Sequence, residues 1–472
     1  MTLGETCHIT DGAHAKVERV KNGILYLTSK NIGQGNLILD RIDYITKEDF
    51  DRLFPINSKA QRRLVNGDIL IGIIGTFGNA YRYKSSDTFG ISSSVAILRP
   101  NHEILDSDYL YYVVTSDSFK NVHSAYKSGS AQGYTNIPTL KQLPIPVLPL
   151  PEQKAIAHIL GSLDDKIELN RQMNQTLEQM AQALFKSWFV NFDPVIDNAL
   201  AAGNIIPEPL QKRAEQRRLL SQSKQGDARK PLPEDIQNLF PAEFEFSEEL
   251  DKWVPMGWRV CTINDVADVI GGGTPSTKVE EYFCEDGIAW LSPKDLSGYE
   301  WKFISKGAKD ITDLGLAKSS AKLMPKGTVL FSSRAPIGYV AIAENEISTN
   351  QGFKSLVPKP GMCSEFLYYF LKTNVENIEA IATGSTFKEV SGNALKSFYI
   401  LIPPTDILET YKTNTDDYNS KRLINQKEVQ SLTKLRDALL PKLVSGEVRL
   451  SAEAMAQAGV PEEMMPKVGM LK

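Results

Sequence analysis

Cysteine, histidine, long apolar runs and an excess of positive charge are all scarce in this sequence, and each shortage removes a class of protein. Four cysteines, Cys7, Cys261, Cys284 and Cys363, are scattered through 472 residues without CxxC spacing. Disulfide frameworks and zinc sites need paired spacings, so all four are expected to be packing residues. The five histidines form no HxxxH-like pair, and a Ser-His-Asp triad is not legible from them. No apolar run approaches the ~20 residues of a membrane span. The start, MTLGETCHITDG, has neither the basic nor the apolar block of a secretory signal, so a cytoplasmic protein with no membrane partner is expected. Net charge is −4 at pH 7. A nucleic-acid binder usually carries a basic domain, so any DNA binding has to come from local patches.

What is present is organised around the stretch from Pro151 to Phe192. It has no Gly or Pro between Leu163 and Phe192 and reads as one helix too long for an ordinary globular domain. Alternating four- and three-residue steps from Ile156 pass through Leu160, Leu163, Ile167, Asn170, Asn174, Leu177, Ala181, Leu184 and Trp188, which is a heptad seam. A seam needs a partner. The same steps taken 255 residues downstream land on Tyr411, Thr415, Tyr418, Arg422, Asn425, Val429, Leu432, Arg436, Leu439 and Leu443, a poorer seam in which Asn425 answers Asn170. Two helices that pair with each other are expected; the alternative is two unrelated amphipathic helices, each covering a local core. The two asparagines read either as polar seam residues that fix register or as exposed positions where the seam frays.

The rest of the chain is duplicated. LGETCHITDG, ILYLTSKNIG, NGDILIGIIGTFGNAY, ISSSVAILRP, SDYLYYVVTS and SGSAQGYTNIPTLKQLPIPVLP are answered in order by INDVADVIGG, IAWLSPKDLS, KGTVLFSSRAPIGYVA, ISTNQGFKSLVPKP, SEFLYYFLKT and TGSTFKEVSGNALKSFYILIPP. Each half reads as short strands with polar turns, a capped helix and a closing strand, hence an α+β fold. Ser107 and Ser364 are the expected N-caps of the matched helix, each followed by an acid suited to the helix dipole. Between the halves, 193–255 shifts to Pro, Glu and polar residues and reads as a linker with one basic helix, LQKRAEQRRLLSQSKQ, which could lie on a phosphate backbone or be a solvated face. The Met-rich tail after Val448 suggests no role.

Catalytic signatures are thin. VIGGGTPST around Gly271 lacks the Lys-Ser/Thr of a P-loop and the full spacing of a dinucleotide fingerprint, and its counterpart ITDGAHAK has one glycine, so both read as turns. DPV at Asp193 lacks the second proline and the aromatic residue of the amino-methyltransferase motif, and no Ser-centred nucleophile elbow is found. The chain reads as a binder rather than a catalyst.

DGAHAKVERVKNGILYLTSKNI, GSAQGYTNIPTLKQLPIPVLPLPEQKAIAHIL, LDDKIELNRQMNQTLEQMAQALFKSWFVNFDPV and LFPAEFEFSEELDKWVPMGW closely resemble the specificity subunits of type I restriction-modification systems, with the likeness covering nearly the whole chain. The resemblance implies two tandem pseudo-symmetric α/β target-recognition domains, 1–150 and 256–404, joined by two long antiparallel coiled-coil helices, 151–192 and 405–448, with 193–255 as linker and 449–472 as tail. It further implies that each domain reads one half of a bipartite, asymmetric site in double-stranded DNA, and that the coiled coil sets the spacing and docks two methyltransferase (M) subunits. Those subunits would hold S-adenosylmethionine, and restriction/translocase (R) subunits would use ATP and Mg; no cofactor is implied in this chain. One departure is the second helix entry, IPPTDILETY where the first half has LPLPEQKAIA, which puts partner contacts there in doubt.

Independently of the family, a helix of about 30 residues at ~1.5 Å each is roughly 45 Å long, against ~34 to 36 Å for one turn of DNA, so half-sites somewhat over one turn apart are expected. Base readout needs Arg, Lys, Asn or Gln on loops, and phosphate contacts need Lys, Ser, Thr or free amides. Matched loops give the candidates. Lys30 and Asn31 correspond to Lys294 and Asp295, and Gly129 and Ser130 to Gly384 and Ser385. Thr76, Asn79, Arg82 and Lys84 in the first central loop face Arg334, Tyr339, Asn350 and Gln351 in the second. A self-contained DNA methyltransferase or nuclease is opposed by the missing cofactor loop and catalytic tetrapeptide, and a non-specific coiled-coil adaptor by the duplicated globular halves.

Overall fold

The computed structural model describes residues 1–74, 79–125, 135–222, 232–334, 336–384 and 388–461. The chain divides into two compact units, 1–170 with 428–472, and 171–427. Of the sequence-derived candidates, Thr76, Gly129, Ser130 and Ser385 lie outside the described residues.

In the first unit an antiparallel sheet runs in the order Cys7–Asp11, Val95–Pro100, Ile69–Gly72, Ala80–Arg82. A second sheet runs Asp43–Ile45, Ile24–Leu27, Phe89–Ile91, with its last pair parallel. The apolar run Ile69-Leu70-Ile71 explains how the two are packed. Side chains of a strand alternate faces: Ile69 and Ile71 join the core beneath helix Ser107–Thr115, and Leu70 joins the core shared with the smaller sheet. A strand covered on both faces has no polar side to show, which is why this segment is continuously hydrophobic.

The second unit repeats this plan. Its larger sheet runs Ala267–Gly271, Lys354–Pro358, Val329–Ser333, Ile337–Ala343, Phe303–Ile304, and its smaller sheet Phe283–Cys284, Lys309–Ile311, Ile288–Leu291, Ser348–Thr349, again with a parallel last pair. Val329 and Phe331 face one core and Leu330 the other, as in the first unit. The expected α+β duplication is therefore present, each strand of the first unit's two sheets having a counterpart, and the second unit adds Phe303–Ile304 to its larger sheet and Phe283–Cys284 to its smaller one. The matched serines are not the caps, however. Asp106 caps the first helix, accepting from the amides of Asp108 and Tyr109, and Cys363 occupies the corresponding place in the second with no side-chain cap. Ser107 and Ser364 lie one residue inside and pack on matched turns. Gly67 (φ +90°) and Gly327 (φ +87°) adopt left-handed backbone there, and a Cβ on them would stand 2.8 and 3.2 Å from the two serine hydroxyls.

The long helices are Leu150–Phe185 and Thr405–Ser445, 36 and 41 residues. They run antiparallel within each unit. In the first, Asp164 pairs with Arg436 at 2.7 Å, and Glu152 with Arg449, which follows the second helix, at 2.6 Å. In the second, Asn425 donates to Asn174 at 2.9 Å and Arg422 to Glu178 at 2.6 Å. The seam positions Ile156, Leu160, Ile167, Asn170, Tyr411, Asn425, Val429 and Leu443 are buried, and Leu163, Leu177, Leu184, Tyr418, Leu432 and Leu439 are half-buried. Asn170 donates to Glu428 at 2.9 Å. Both asparagines are thus buried and bonded, not frayed. Beyond Phe185 one π-helical turn, Lys186–Val190, leads to Phe192, whose left-handed backbone (φ +55°) breaks the helix.

Where the sequence suggests a linker, the described part of 193–255 is folded. Helices Asp193–Ala202 and Glu208–Gln222 pack together and a hairpin, Phe244–Ser247 with Lys252–Pro255, follows. Ala199, Ala214, Phe240 and Phe244 share the core of Trp188 and Trp258. The basic helix does not lie free, and two of its arginines turn onto the preceding helix: Arg213 holds Asp193 through two 2.7 Å bonds and Arg217 holds Asp197 at 2.8 Å, while Arg218 is exposed beside Glu215. Asp193 is 1% exposed. Burial would raise its carboxyl, but Arg213 and Ser187 hold it below the usual range. The described tail also has a place, since Met455 and Val460 pack on Ala155. No helix among the described residues is long and apolar enough to cross a membrane.

Candidate nucleic-acid interface

In each unit the loop after the central strand of the smaller sheet is built by one short 3-10 turn, and its construction separates structural from available side chains. In the second unit Ser292 precedes the turn Pro293–Leu296. Asp295 accepts from the Ser292 amide and hydroxyl, both at 2.7 Å, and from the Ala308 amide at 2.8 Å. In the first unit Asn31 does the same for Thr28, whose amide lies at 2.9 Å, and donates to the carbonyls of Ile38 and Arg41, each at 2.9 Å. Asn31 is buried. The carboxylate and the amide are therefore occupied in shaping the loop, the reciprocal pattern of a capping box, while the preceding Lys30 and Lys294 are exposed.

The other second-unit candidates converge beside that turn. The Asn350 amide donates to Leu291 at 2.7 Å and its side chain accepts from Gly352 at 2.8 Å. A Cβ on Gly352 would meet Pro293 at 2.7 Å, which places the 350–352 loop against the turn that carries Lys294. Gln351 is exposed and bonds Thr274 of the glycine-rich loop. That loop is a close backbone approach, since a Cβ on Gly272 would lie 2.0 Å from the Asn350 carbonyl. Arg334 follows strand Val329–Ser333, bridges to Glu389 through its backbone, and has its guanidinium 3.7 Å from that carboxylate. Lys354 holds Glu389 from the other side at 3.0 Å. Gly384 (φ +115°) follows Thr383, which also bridges to Glu389. Tyr339 is apart from this set, half-buried against the core of Leu330.

The first-unit candidates are less free. Asn79 donates to the Ile32 carbonyl at 3.1 Å, which ties it to the Lys30 turn. Arg82 pairs with Asp108 at 2.8 Å on the first turn of helix Ser107–Thr115. Lys84 is exposed; its amide donates to the Asp87 carboxylate at 2.8 Å and its carbonyl accepts from the Asp87 amide at 3.0 Å.

Sequence reasoning passed over the charged groups that fasten the domains to the helices. Glu178 accepts from Arg422, from Lys372 at 3.0 Å and from the Tyr369 hydroxyl at 2.7 Å. Burial would raise its carboxyl, but Arg422, Lys372, Lys302 and Tyr369 together hold it down at about 2. Lys302 is fully buried between Glu365 and Asn419, with its ammonium 4.7 and 4.8 Å from the rings of Tyr368 and Tyr369. In the first unit Asp164 accepts from Tyr112 at 2.8 Å as well as from Arg436. Arg422 and Arg436 stand on the heptad steps, where their type reads as a defect of the seam. Cys7 and Cys363 are buried in the two cores, where burial pushes their thiols up to about 12 and about 11, as for packing residues, and Cys261 and Cys284 are half-buried.

Comparison with known proteins gives this architecture a family. A family model described as the type I restriction modification DNA specificity domain matches twice, at residues 3–179 and 255–439. The chain is 30% identical over 415 residues to the type I restriction enzyme HindI specificity subunit of Haemophilus influenzae, covering 83% of this chain and 88% of that one. It is 48% identical over 166 residues to the MjaIX specificity subunit of Methanocaldococcus jannaschii, a match that spans 35% of this chain and 38% of that protein. The crystal structure of a type I restriction-modification S subunit from M. genitalium shares the fold, with a TM-score of 0.56 at 15% identity over 94% of this chain and 95% of that one.

Proposed function

The chain belongs to the type I restriction-modification DNA specificity family, and from that premise we propose that it is the recognition subunit of such a complex and performs no chemistry itself. Each α/β domain reads one half of a bipartite, asymmetric site in double-stranded DNA. The observation that carries this reading is the duplicated loop platform: the same 3-10 turn beside the same short parallel strand pair, built twice and furnished with different side chains. A reader of two different half-sites needs that combination.

The division of labour follows from chemistry. Lys30 and Lys294 answer each other and are exposed, which suits phosphates, since phosphate contacts position a protein without carrying sequence information. Among positions that differ, Arg334 and Gln351 suit base edges, where Arg favours guanine and Asn or Gln adenine, while Arg82, Asn79 and Asn350 would first have to release Asp108, the Ile32 carbonyl and the Gly352 amide. Asn31 and Asp295 serve readout indirectly by fixing the shape of the turn. The 36- and 41-residue helices extend roughly 54 and 62 Å at ~1.5 Å per residue. In this proposal they set the distance between the half-sites, leaving middle base pairs unread, and dock two methyltransferase subunits. Those partners would bring S-adenosylmethionine, and restriction subunits ATP and Mg.

Catalysis gives the test. Incubated alone with S-adenosylmethionine and DNA, the purified chain should transfer no methyl group, and adding the methyltransferase subunits should produce methylation confined to one bipartite sequence. Methylation by the lone chain would contradict the proposal.

A further inference from the structure

The seam of the two helices does not by itself say which helix should pair with which. Both carry apolar or polar residues on the same heptad steps, and even the buried amide layer is shared, because the counterpart of Asn425 is Asn170. An antiparallel pairing of the first helix with the first helix of a second copy would keep that layer as Asn170 against Asn174.

The ion pairs do distinguish. Asp164 pairs with Arg436, the side chains 30% and 28% exposed; Glu178 pairs with Arg422, at 20% and 7%; Glu152, 2% exposed, pairs with Arg449. In all three the acid comes from the first helix and the arginine from the second helix or the residues just after it. A pair of opposite direction, Lys166 with Glu428, is longer, 3.5 Å, and more exposed, 47% and 39%. Shifting by the 255-residue repeat shows what self-pairing would do. The places of Arg436 and Arg422 would be taken by Ala181 and Ile167, and those of Asp164 and Glu178 by Asn419 and Thr433. Two first helices would take from Asp164, Glu178 and Glu152 the arginines they hold, leaving Glu178 with Lys372, and two second helices would leave Arg422 without its carboxylate and Arg436 with its neighbour Asp437. A charge left unpaired away from water is strongly disfavoured, whereas the hydrophobic seam tolerates either partner.

We propose that the common direction of these ion pairs makes the second helix of the same chain, rather than the first helix of another copy, the partner of the first helix. The device is independent of whether the chain reads DNA.

Three full-length variants test it: Asp164→Arg, Arg436→Asp, and both together. The Tyr112 hydroxyl that donates to Asp164 can accept from an arginine, so the swap is tolerable there. Each single variant sets like charges face to face and should melt about 5 °C or more below wild type and lose its monomeric state. Co-expressed under different tags, the two singles complement each other across chains and should copurify one to one, at least ~10-fold above two tagged wild-type chains. The double variant should return to a monomer within about 2 °C of wild type. Single variants that stay monomeric and melt like wild type, singles that do not copurify, or a double variant as defective as the two singles combined would each overturn the proposal.

Discussion

Single side chains divide into those that hold the protein and those that are free for DNA, and the two kinds should fail differently. Arg334 has a guanidinium about one-third exposed and a long contact to Glu389, so little is lost from the fold by removing it. Arg334→Ala should relax base preference in one half-site only, at a cost of about 1–3 kcal/mol for the preferred base. Lys294→Ala should instead weaken all sequences alike and reduce the salt slope by about one. Measured affinities on a panel of single-base variants at two salt concentrations separate the outcomes; a uniform loss for Arg334→Ala would make it a phosphate contact. Glu178 belongs to the other kind. Its folded pKa of about 2 lies below the unfolded 4.5, so its stabilisation is complete above pH 4.5 and is lost as pH falls toward 2. Glu178→Gln should therefore cost on the order of 2–3 kcal/mol at neutral pH and progressively less below pH 4.5. Thermal melts of both proteins across that range check it, and a constant difference at all pH values would contradict it.

At the scale of elements, the long helices are the most legible part of the sequence and also the part whose function is most testable. Four residues inserted after Asn170 and four after Asn425 add a stutter that lengthens each helix by about 6 Å while roughly keeping its buried face. At ~3.4 Å per base pair the unread gap should grow by roughly two, with the outer half-site turned by about 70° around the duplex. A selected site with an unchanged gap, from a variant that is folded and specific, would mean the helices do not set the spacing. Heptad steps predicted these helices because burial on one face is a periodic property. The duplication was legible because strands such as Ile69-Leu70-Ile71 and Val329-Leu330-Phe331 are buried on both faces in both units. Less legible was the stretch 193–255: its Pro, Glu and Arg content describes a linker unless one knows that Arg213 and Arg217 find Asp193 and Asp197 across a turn. Composition cannot report a pairing that only folding creates. The same limit applied to Asn31 and Asp295, which have the chemistry of base readers but spend it on Thr28 and Ser292.

For the whole molecule, the account is that one polypeptide carries two copies of a DNA-reading module, with chemistry left to its partners. A net charge of −4 means that affinity has to come from the loop clusters and not from a general basic field. The most direct measurement is a binding selection from a random duplex library, run with the full chain in complex with methyltransferase subunits. The account predicts two short conserved half-sites of different sequence, separated by a fixed run of base pairs with no preference. A single contiguous motif, or enrichment by composition alone, would contradict it.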